Sequence, residues 1–300
     1  MNRPEPTSPT VSVIIPVFNR TELLRRSLAS LEAQTFRDFE VIVVDDGSAD
    51  NVGLALGNMP YVTLIRHEHQ RGAAAARNTG VQHSKSAYIA FLDSDDEWLP
   101  DKLERQIDFM KGRQPARDVS CTAYLLQRAG TLHERPVNTN SRLQIDFLWG
   151  CTISPGSTLM AQRAVYDRVG PFDERLRRLE DWDWMLRCSR QYDIDVLPEP
   201  LVRIFASPQT AVGDEVANAL ALMSSEREKY GITWRHPGSV LKFRSTISLE
   251  RAALHYRRGD TWGALKCGCL SLLIYPFRDR LFWTRMLNHL RDVLQGKPFK

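Results

Sequence analysis

The stretch Tyr88-Ile89-Ala90-Phe91-Leu92-Asp93-Ser94-Asp95-Asp96-Glu97-Trp98-Leu99-Pro100 runs from a short apolar segment straight into four acidic side chains interrupted by one serine. An apolar run of β-favouring residues with polar ends reads as a strand buried on both faces, so the acids emerge at its C-terminal end. In an open α/β sheet that edge is where ligands bind. Asp93 and Asp95 alternate and would point to opposite sides of an extended chain. If the backbone turns there, one can hold a sugar hydroxyl. The other can take a hard divalent cation, which keeps waters for a diphosphate to replace. The same residues also suit an acidic turn capping a helix that starts near Pro100 and Asp101.

Upstream the pattern is regular. Val11-Ser12-Val13-Ile14-Ile15 reads as a strand closed by Pro16, and residues 21–34 carry Leu24, Leu28 and Leu31 at helical spacing, with Thr21 as the cap. Glu40-Val41-Ile42-Val43-Val44 is a second strand, again ending in acid at Asp45-Asp46-Gly47-Ser48. A short helix, a strand around residues 62–65, a loop at Gln70-Arg71-Gly72 and a helix over residues 73–82 lead back to the strand quoted above. Such alternation predicts a parallel sheet with right-handed crossovers, which puts Asp45, Asp46, Asp93 and Asp95 on one edge. A chance acidic turn has no reason to recur there. Where a dinucleotide fold needs GxGxxG, this chain has Pro16-Val17-Phe18-Asn19, which argues against a nicotinamide or flavin enzyme. Arg77 lies amid alanines in the stretch from Gly72 to Gly80. Spacing alone suits a solvated position, but the neighbouring acids favour a phosphate or an aspartate as its partner.

Downstream, residues 101–110 form a helix with Leu103, Ile107 and Met110 inward. A strand follows over residues 119–126, then a polar connection over 128–140, an apolar turn at 146–149, a turn and strand over 153–160, and a helix over 163–169 stopped by Gly170-Pro171. Leu179-Glu180-Asp181-Trp182-Asp183-Trp184-Met185-Leu186-Arg187 then places two acids in the first turn of a helix whose inner face is Trp184, Met185 and Cys188. They can simply complement the helix dipole. Alternatively one projects into a cleft, is desolvated by Trp182 or Trp184, and works as a general base, since burial raises a carboxylate's proton affinity.

The 300 residues are 43% hydrophobic, enough for one large or two modest cores, and the net charge of +4 is too balanced to imply nucleic acid. Cys121, Cys151, Cys188, Cys267 and Cys269 form no CxxC pair, which suits reduced thiols in the cytoplasm. His67 and His69 flank Glu68 in what reads as a solvated loop. Residues 1–10, with three prolines, read as a flexible lead, and no segment reaches the ~18 apolar residues of a membrane span. Beyond about residue 208 the pattern turns helical: 216–230, then 240–257, a turn at Arg258-Gly259-Asp260, and 261–275. Residues 277–287, with Arg291 and Lys297 after them, mix arginines with Phe and Trp. That suits either an anionic membrane surface or ordinary helix packing.

Taken together, Val13-Ile14-Ile15-Pro16-Val17-Phe18-Asn19, Val43-Val44-Asp45-Asp46-Gly47-Ser48, Gly72 through Arg77-Asn78, Phe91-Leu92-Asp93-Ser94-Asp95-Asp96 and Glu180-Asp181 resemble the ordered signature of family 2 glycosyltransferases. The resemblance spans roughly residues 11–205. It implies a GT-A fold, an α/β Rossmann-like domain with a mostly parallel central sheet over residues 11–207. The nucleotide-binding half would cover about 11–112, the acceptor half about 113–207, and an α-helical C-terminal region 208–300. Carried onto this sequence, it puts Pro16, Phe18 and Asn19 beside the nucleotide, Asp45 or Asp46 on the base or ribose, Arg77 near the donor and Asp93 on the ribose. Asp95 would coordinate Mg2+ or Mn2+, Asp181 would be the catalytic base with Glu180 beside it, and Gly156, Ser157 and Trp182 would border the acceptor.

The expected activity is inverting, metal-dependent transfer of a sugar from a nucleotide diphosphate, with UDP foremost, to a glycan or lipid-linked acceptor in cell-envelope polysaccharide synthesis. The enzyme would be cytoplasmic, peripheral on the inner face of the membrane. Two alternatives are a nucleotidyltransferase of related fold, whose glycine-rich first loop is missing here, and a non-catalytic sugar-nucleotide-binding module, should Asp181 be a helix cap.

Overall fold

The computed structural model describes residues 8–57, 59, 61–112, 114–128, 130–135, 147–151, 153–205 and 214–276. Strand β1 (Val11–Val17) is buried along nearly its whole length, as a run of β-branched residues at the centre of a covered sheet should be. It pairs in parallel with β2 (Phe39–Asp45) on one side and β4 (Tyr88–Phe91) on the other, and β2 pairs in parallel with β3 (Val62–Arg66). The C-terminal ends of β1, β2 and β4 therefore share one edge.

Helix α1 (Thr21–Glu32) covers this sheet with Leu24, Leu28 and Leu31, all essentially buried and each stabilising by roughly 1.5–3 kcal/mol. Thr21 is not its cap. Arg20 holds that position, and Asp50, in the loop after β2, accepts hydrogen bonds from the Thr21 amide (3.0 Å) and hydroxyl. Helix α2 (Gly53–Leu56) follows, and α3 (Ala73–His83) packs so closely on β1 that a Cβ at Gly80 would overlap Ile14. Its alanines permit that approach.

After β4 the backbone turns, with the Asp96 amide donating to the Asp93 carbonyl at 3.0 Å. Glu97–Trp98 then forms a two-residue strand, β5, which separates the acids from α4 (Lys102–Lys111). Asp101 occupies the cap position of α4 without a side-chain capping bond, so the acidic turn is not a helix cap.

Beyond α4 the sheet becomes mixed. Strands β6 (Val119–Arg128), β7 (Thr131–Arg135), β8 (Met160–Gln162) and β9 (Ile194–Phe205) complete nine strands among the described residues, in the order β3-β2-β1-β4-β8-β6-β9-β5, with β7 on β6. Strand β8 runs antiparallel to β4 and β6, whereas β6 and β9 are parallel. The polar connection expected from residue 128 is, as far as Arg135, a hairpin arm: Arg128 pairs with Thr131 across a turn at Gly130. The rest of it, residues 136–140, lies outside the described residues. Three short helices, α5 (Pro155–Thr158), α6 (Arg163–Val169) and α7 (Glu180–Cys188), complete this part.

The chain divides into two compact units, Met1–Thr210 and Ala211–Lys300. The second holds α8 (Asp214–Ser225), a 3-10 turn at Arg227–Tyr230, α9 (Pro237–Arg257) and α10 (Thr261–Ile274). The single helix expected over 216–230 therefore breaks after Ser225. Helices α9 and α10 form a hairpin in which Asp260 caps α10 by accepting from the Gly263 amide at 2.8 Å, and Ser245 and Ser271 each donate to the other's carbonyl at 2.7 Å. The basic aromatic segment 277–287 lies outside the described residues.

Candidate active site

Arg77 organises the cleft. It is buried in α3, where one guanidinium nitrogen donates to Asp93 at 2.7 Å and another to Glu180 at 2.6 Å. A sheet-edge aspartate is thus among its partners, as the neighbouring acids favour, because a buried guanidinium needs carboxylates on its fork. Burial works against the charge, but Asp93, Glu180 and then Asp181 outweigh it and raise the Arg77 pKa above its ordinary value. One ion therefore ties the end of β4 to the start of α7, 103 residues away from Arg77 in sequence.

At the end of β2 the two aspartates have different fates. Asp46 accepts from His67 Nδ1 (2.7 Å) and the Arg71 amide (2.9 Å) on one oxygen, and from the Gly72 amide (2.7 Å) on the other. It shapes the turn into α3, where Gly72 takes φ +101°, a conformation that favours glycine. His67 is consequently buried, not in a solvated loop, and its Nε2 lies 2.9 Å from the Thr79 hydroxyl; His69 is exposed. Asp45 accepts from the Ser48 amide at 2.8 Å on one oxygen. The other is buried, 3.2 Å from Arg66, without an aligned hydrogen bond. The β1 end is stitched to the same loop: the Asn19 amide donates to Ser48 Oγ (2.9 Å) and Asn19 Oδ1 accepts from the Ala49 amide (2.8 Å). Pro16 and Phe18 are half-buried beside them.

In the turn after β4, Asp93 packs against Gly156, where any Cβ would overlap its carboxylate. Asp96 is structural: it accepts from Ser157 Oγ (2.5 Å) and the Phe205 amide (3.2 Å), and burial, then Asp93, pushes its pKa well up. Ser157 also accepts from the Asp93 amide, and its carbonyl accepts from Trp98 Nε1. Expected at the acceptor border, Ser157 is instead a buried hub beneath the acidic turn. Trp182, likewise buried, donates from Nε1 to the Phe147 carbonyl at 2.8 Å. Both fold to the interior because their polar atoms satisfy backbone and carboxylate groups there.

Asp95 faces the other way. Its carboxylate pairs with Arg20 at 2.6 Å, and its carbonyl accepts from Arg26, which also stacks 3.6 Å from the Phe205 ring. Burial, then Asp93, raises the Asp95 pKa, and Arg20 opposes them. Beside it opens a cavity of about 680 Å³ lined by Asn19, Arg20, Arg26, Asp50 and Phe205 among others. Among the described residues no group of three His, Cys, Asp or Glu side chains could cage a metal. A single carboxylate such as Asp95 does suit a cation that takes its remaining ligands from phosphates and water.

Asp181 lies in a tight space bordered by Arg77, Pro155, Gly156, Phe172 and Trp184. Among the described residues it accepts only from the adjacent Trp182 amide, at 2.7 Å. Burial first, then Glu180, pushes its pKa up to about 6 against the pull of Arg77. Leu179 and Ser154, the residues that open α7 and α5, both adopt left-handed backbone (φ +63° and +47°), and such strain clusters at working sites. Asn78 had no assigned role in the sequence reading. It clamps the intervening loop, exchanging hydrogen bonds with the Phe172 carbonyl (2.9 Å) and amide (2.8 Å).

The profile described as Glycosyl transferase family 2 matches residues 12–170. The amylovoran biosynthesis glycosyltransferase AmsB of Erwinia amylovora is 31% identical over 95% of this chain and 98% of its own length. The Escherichia coli UDP-Glc:alpha-D-GlcNAc-diphosphoundecaprenol beta-1,3-glucosyltransferase WfgD is 39% identical over 33% of this chain and 40% of its own. Among solved structures, S. aureus TarS 1–349 in complex with UDP-GlcNAc superposes with a TM-score of 0.60 at 17% identity, covering 97% of this chain and 93% of that one. The mannosyltransferase PcManGT from Pyrobaculum calidifontis, in complex with GDP-Man and Mn2+, gives 0.61 at 18%, covering 97% and 82%.

Proposed function

Because the chain belongs to the family 2 glycosyltransferases, with the GT-A fold, we propose that this cleft carries out inverting transfer from a UDP-sugar to a lipid-linked or glycan acceptor in envelope polysaccharide assembly. UDP as the nucleotide is supported by WfgD and by the UDP-GlcNAc complex of TarS, and the lipid-linked acceptor by the diphosphoundecaprenol in the name of WfgD. The observation that carries the reading is the Arg77 bridge, which sets Asp181, with its pKa near 6, against the edge bearing Asp93 and Asp45.

In this reading the Asp45 oxygen that lacks an aligned donor accepts from an N–H of the base, and Pro16, Phe18 and Asn19 border it. Asp93, oriented by Arg77, accepts from a ribose hydroxyl. Asp95 would hold Mg2+ or Mn2+, which when bound supplies Lewis-acid stabilisation of the departing diphosphate. Asp181 takes the acceptor hydroxyl's proton as that oxygen bonds to the anomeric carbon. The bond to the diphosphate oxygen breaks, and its electron pair leaves with the nucleotide. Base catalysis of this kind contributes roughly 10²–10⁴-fold. A covalent route would need a second carboxylate as nucleophile. Glu180 is held by Arg77, which favours single displacement.

The protein would work at the cytoplasmic face of the membrane; among the described residues no helix is long and apolar enough to cross it. The test is a panel of nucleotide sugars with Mn2+ and polyprenyl-diphosphate acceptors. UDP release that needs both acceptor and Asp181 supports the reading. Pyrophosphate release, as a nucleotidyltransferase would give, or turnover retained in Asp181→Asn, overturns it.

A further inference from the structure

Helix α10 is apolar on nearly every side and has almost no polar face of its own, yet one of its faces is exposed. Trp262, Leu265, Lys266, Cys269, Leu270 and Leu273 recur at spacings of three and four residues and share one face, and every one of them is exposed. Trp262 and Leu273 are each 81% exposed. The opposite face, with Ser271 buried against Ser245, packs on α9. Lys266 is the only charge in the helix. A contiguous apolar stripe of this kind marks an interaction surface.

Charge decides which partner fits. Residues 211–300 hold 15 Lys and Arg against 8 Asp and Glu, a net +7, while residues 1–210 hold 25 against 28, a net −3. Within the helical unit Arg244, Arg251, Arg257 and Arg258 are exposed. A second copy would bring like charge onto like, which is unfavourable. An anionic bilayer is complementary, each basic residue near its surface adding attraction. The helix, at 14 residues, is too short to span. Its exposed side chains suit the bilayer interface instead, with Trp262 at headgroup depth and the leucines in the acyl boundary.

We propose that the outward face of α10 docks this enzyme on an anionic phospholipid surface. The inference deepens the lipid-linked acceptor reading, yet it is read by binding alone, so either can fail without the other. The full chain is sedimented at 0.15 M salt with vesicles of equal phosphatidylglycerol and phosphatidylcholine, and with phosphatidylcholine alone. The expected result is binding to the anionic vesicles at least tenfold stronger than to the neutral ones. In Trp262→Ser/Leu273→Ser that binding falls about tenfold or more, as loss of two large apolar groups predicts. Both positions are exposed, and an unchanged melting temperature checks the fold. Asp181→Asn should bind as the wild type does, whatever its turnover. Absence of binding, or equal binding by the double variant, overturns the proposal. So does a wild-type dimer in sedimentation velocity that the double variant dissolves, which would make the face a self-association surface.

Discussion

Two pairs of adjacent acids divide their labour in opposite order. At the end of β2 the second acid, Asp46, gives both oxygens to His67 and the turn into α3, while Asp45 keeps a buried oxygen without an aligned donor. At the start of α7 the first acid, Glu180, is bound to Arg77, while among the described residues Asp181 accepts only from the amide beside it. In each pair one carboxylate is committed to building the cleft, and its neighbour makes fewer hydrogen bonds. A charged side chain close to reacting atoms is not by that fact catalytic; what matters is whether its lone pairs are already committed.

The contrast breaks most sharply at α7. Asp181→Asn should lower transfer by about 10³-fold with UDP affinity unchanged by calorimetry, within the range of base catalysis. Glu180→Gln should instead weaken folding by about 3 kcal/mol in denaturant titration, since it strips a partner from a buried guanidinium. Equal stability losses in the two variants would erase the distinction.

At β2 a smaller difference is expected. Asp46→Ala should cost about 2 kcal/mol, because a histidine and two amides lose a charged acceptor. Asp45→Asn should leave the melting temperature nearly unchanged and weaken UDP binding about tenfold, the worth of one hydrogen bond to a charged group. A stability loss in Asp45→Asn equal to that of Asp46→Ala would remove the contrast.

The pH dependence separates function from folding. Asp181 must be deprotonated to accept a proton, so kcat/KM should fall as pH drops through about 6, and Asp181→Asn should lose that limb. Its effect on stability has the opposite sign. The folded pKa stands above the ordinary 3.8, so the folded state holds more protons between these values, and this group's contribution is lost as pH rises through about 6. The smallest effect is expected at Arg20. A cation arriving at Asp95 meets a carboxylate already paired at 2.6 Å, so Arg20→Gln should tighten Mn2+ binding in the presence of UDP by a few-fold, read by electron paramagnetic resonance. Weaker binding would show that Arg20 assists the cation site instead of competing for it.

Much of the first half was legible because it is written locally. Apolar runs such as Val11–Val17 and Phe39–Asp45 form buried parallel strands whatever surrounds them, and their polar ends mark the ligand edge. The short elements were not legible. Glu97–Trp98 becomes a strand only because Arg203 and Val202 lie opposite, and the polar Thr131–Arg135 extends only because β6 offers it an edge. His67 carried no local sign of burial, since its partners, Asp46 and Thr79, come from other elements.

The sequence by itself determined an α/β sheet with acids at two strand ends and a third acidic pair far downstream, since alternation, apolar runs and polar breaks are properties of neighbouring residues. Only the tertiary structure decided which acid of each pair is left with fewer donors, that Ser157 and Trp182 turn inward, and that Arg77 joins Asp93 to Glu180. The physical reason is that a carboxylate's role depends on which donors reach it and how much water remains. Both are set by chain segments that meet only on folding.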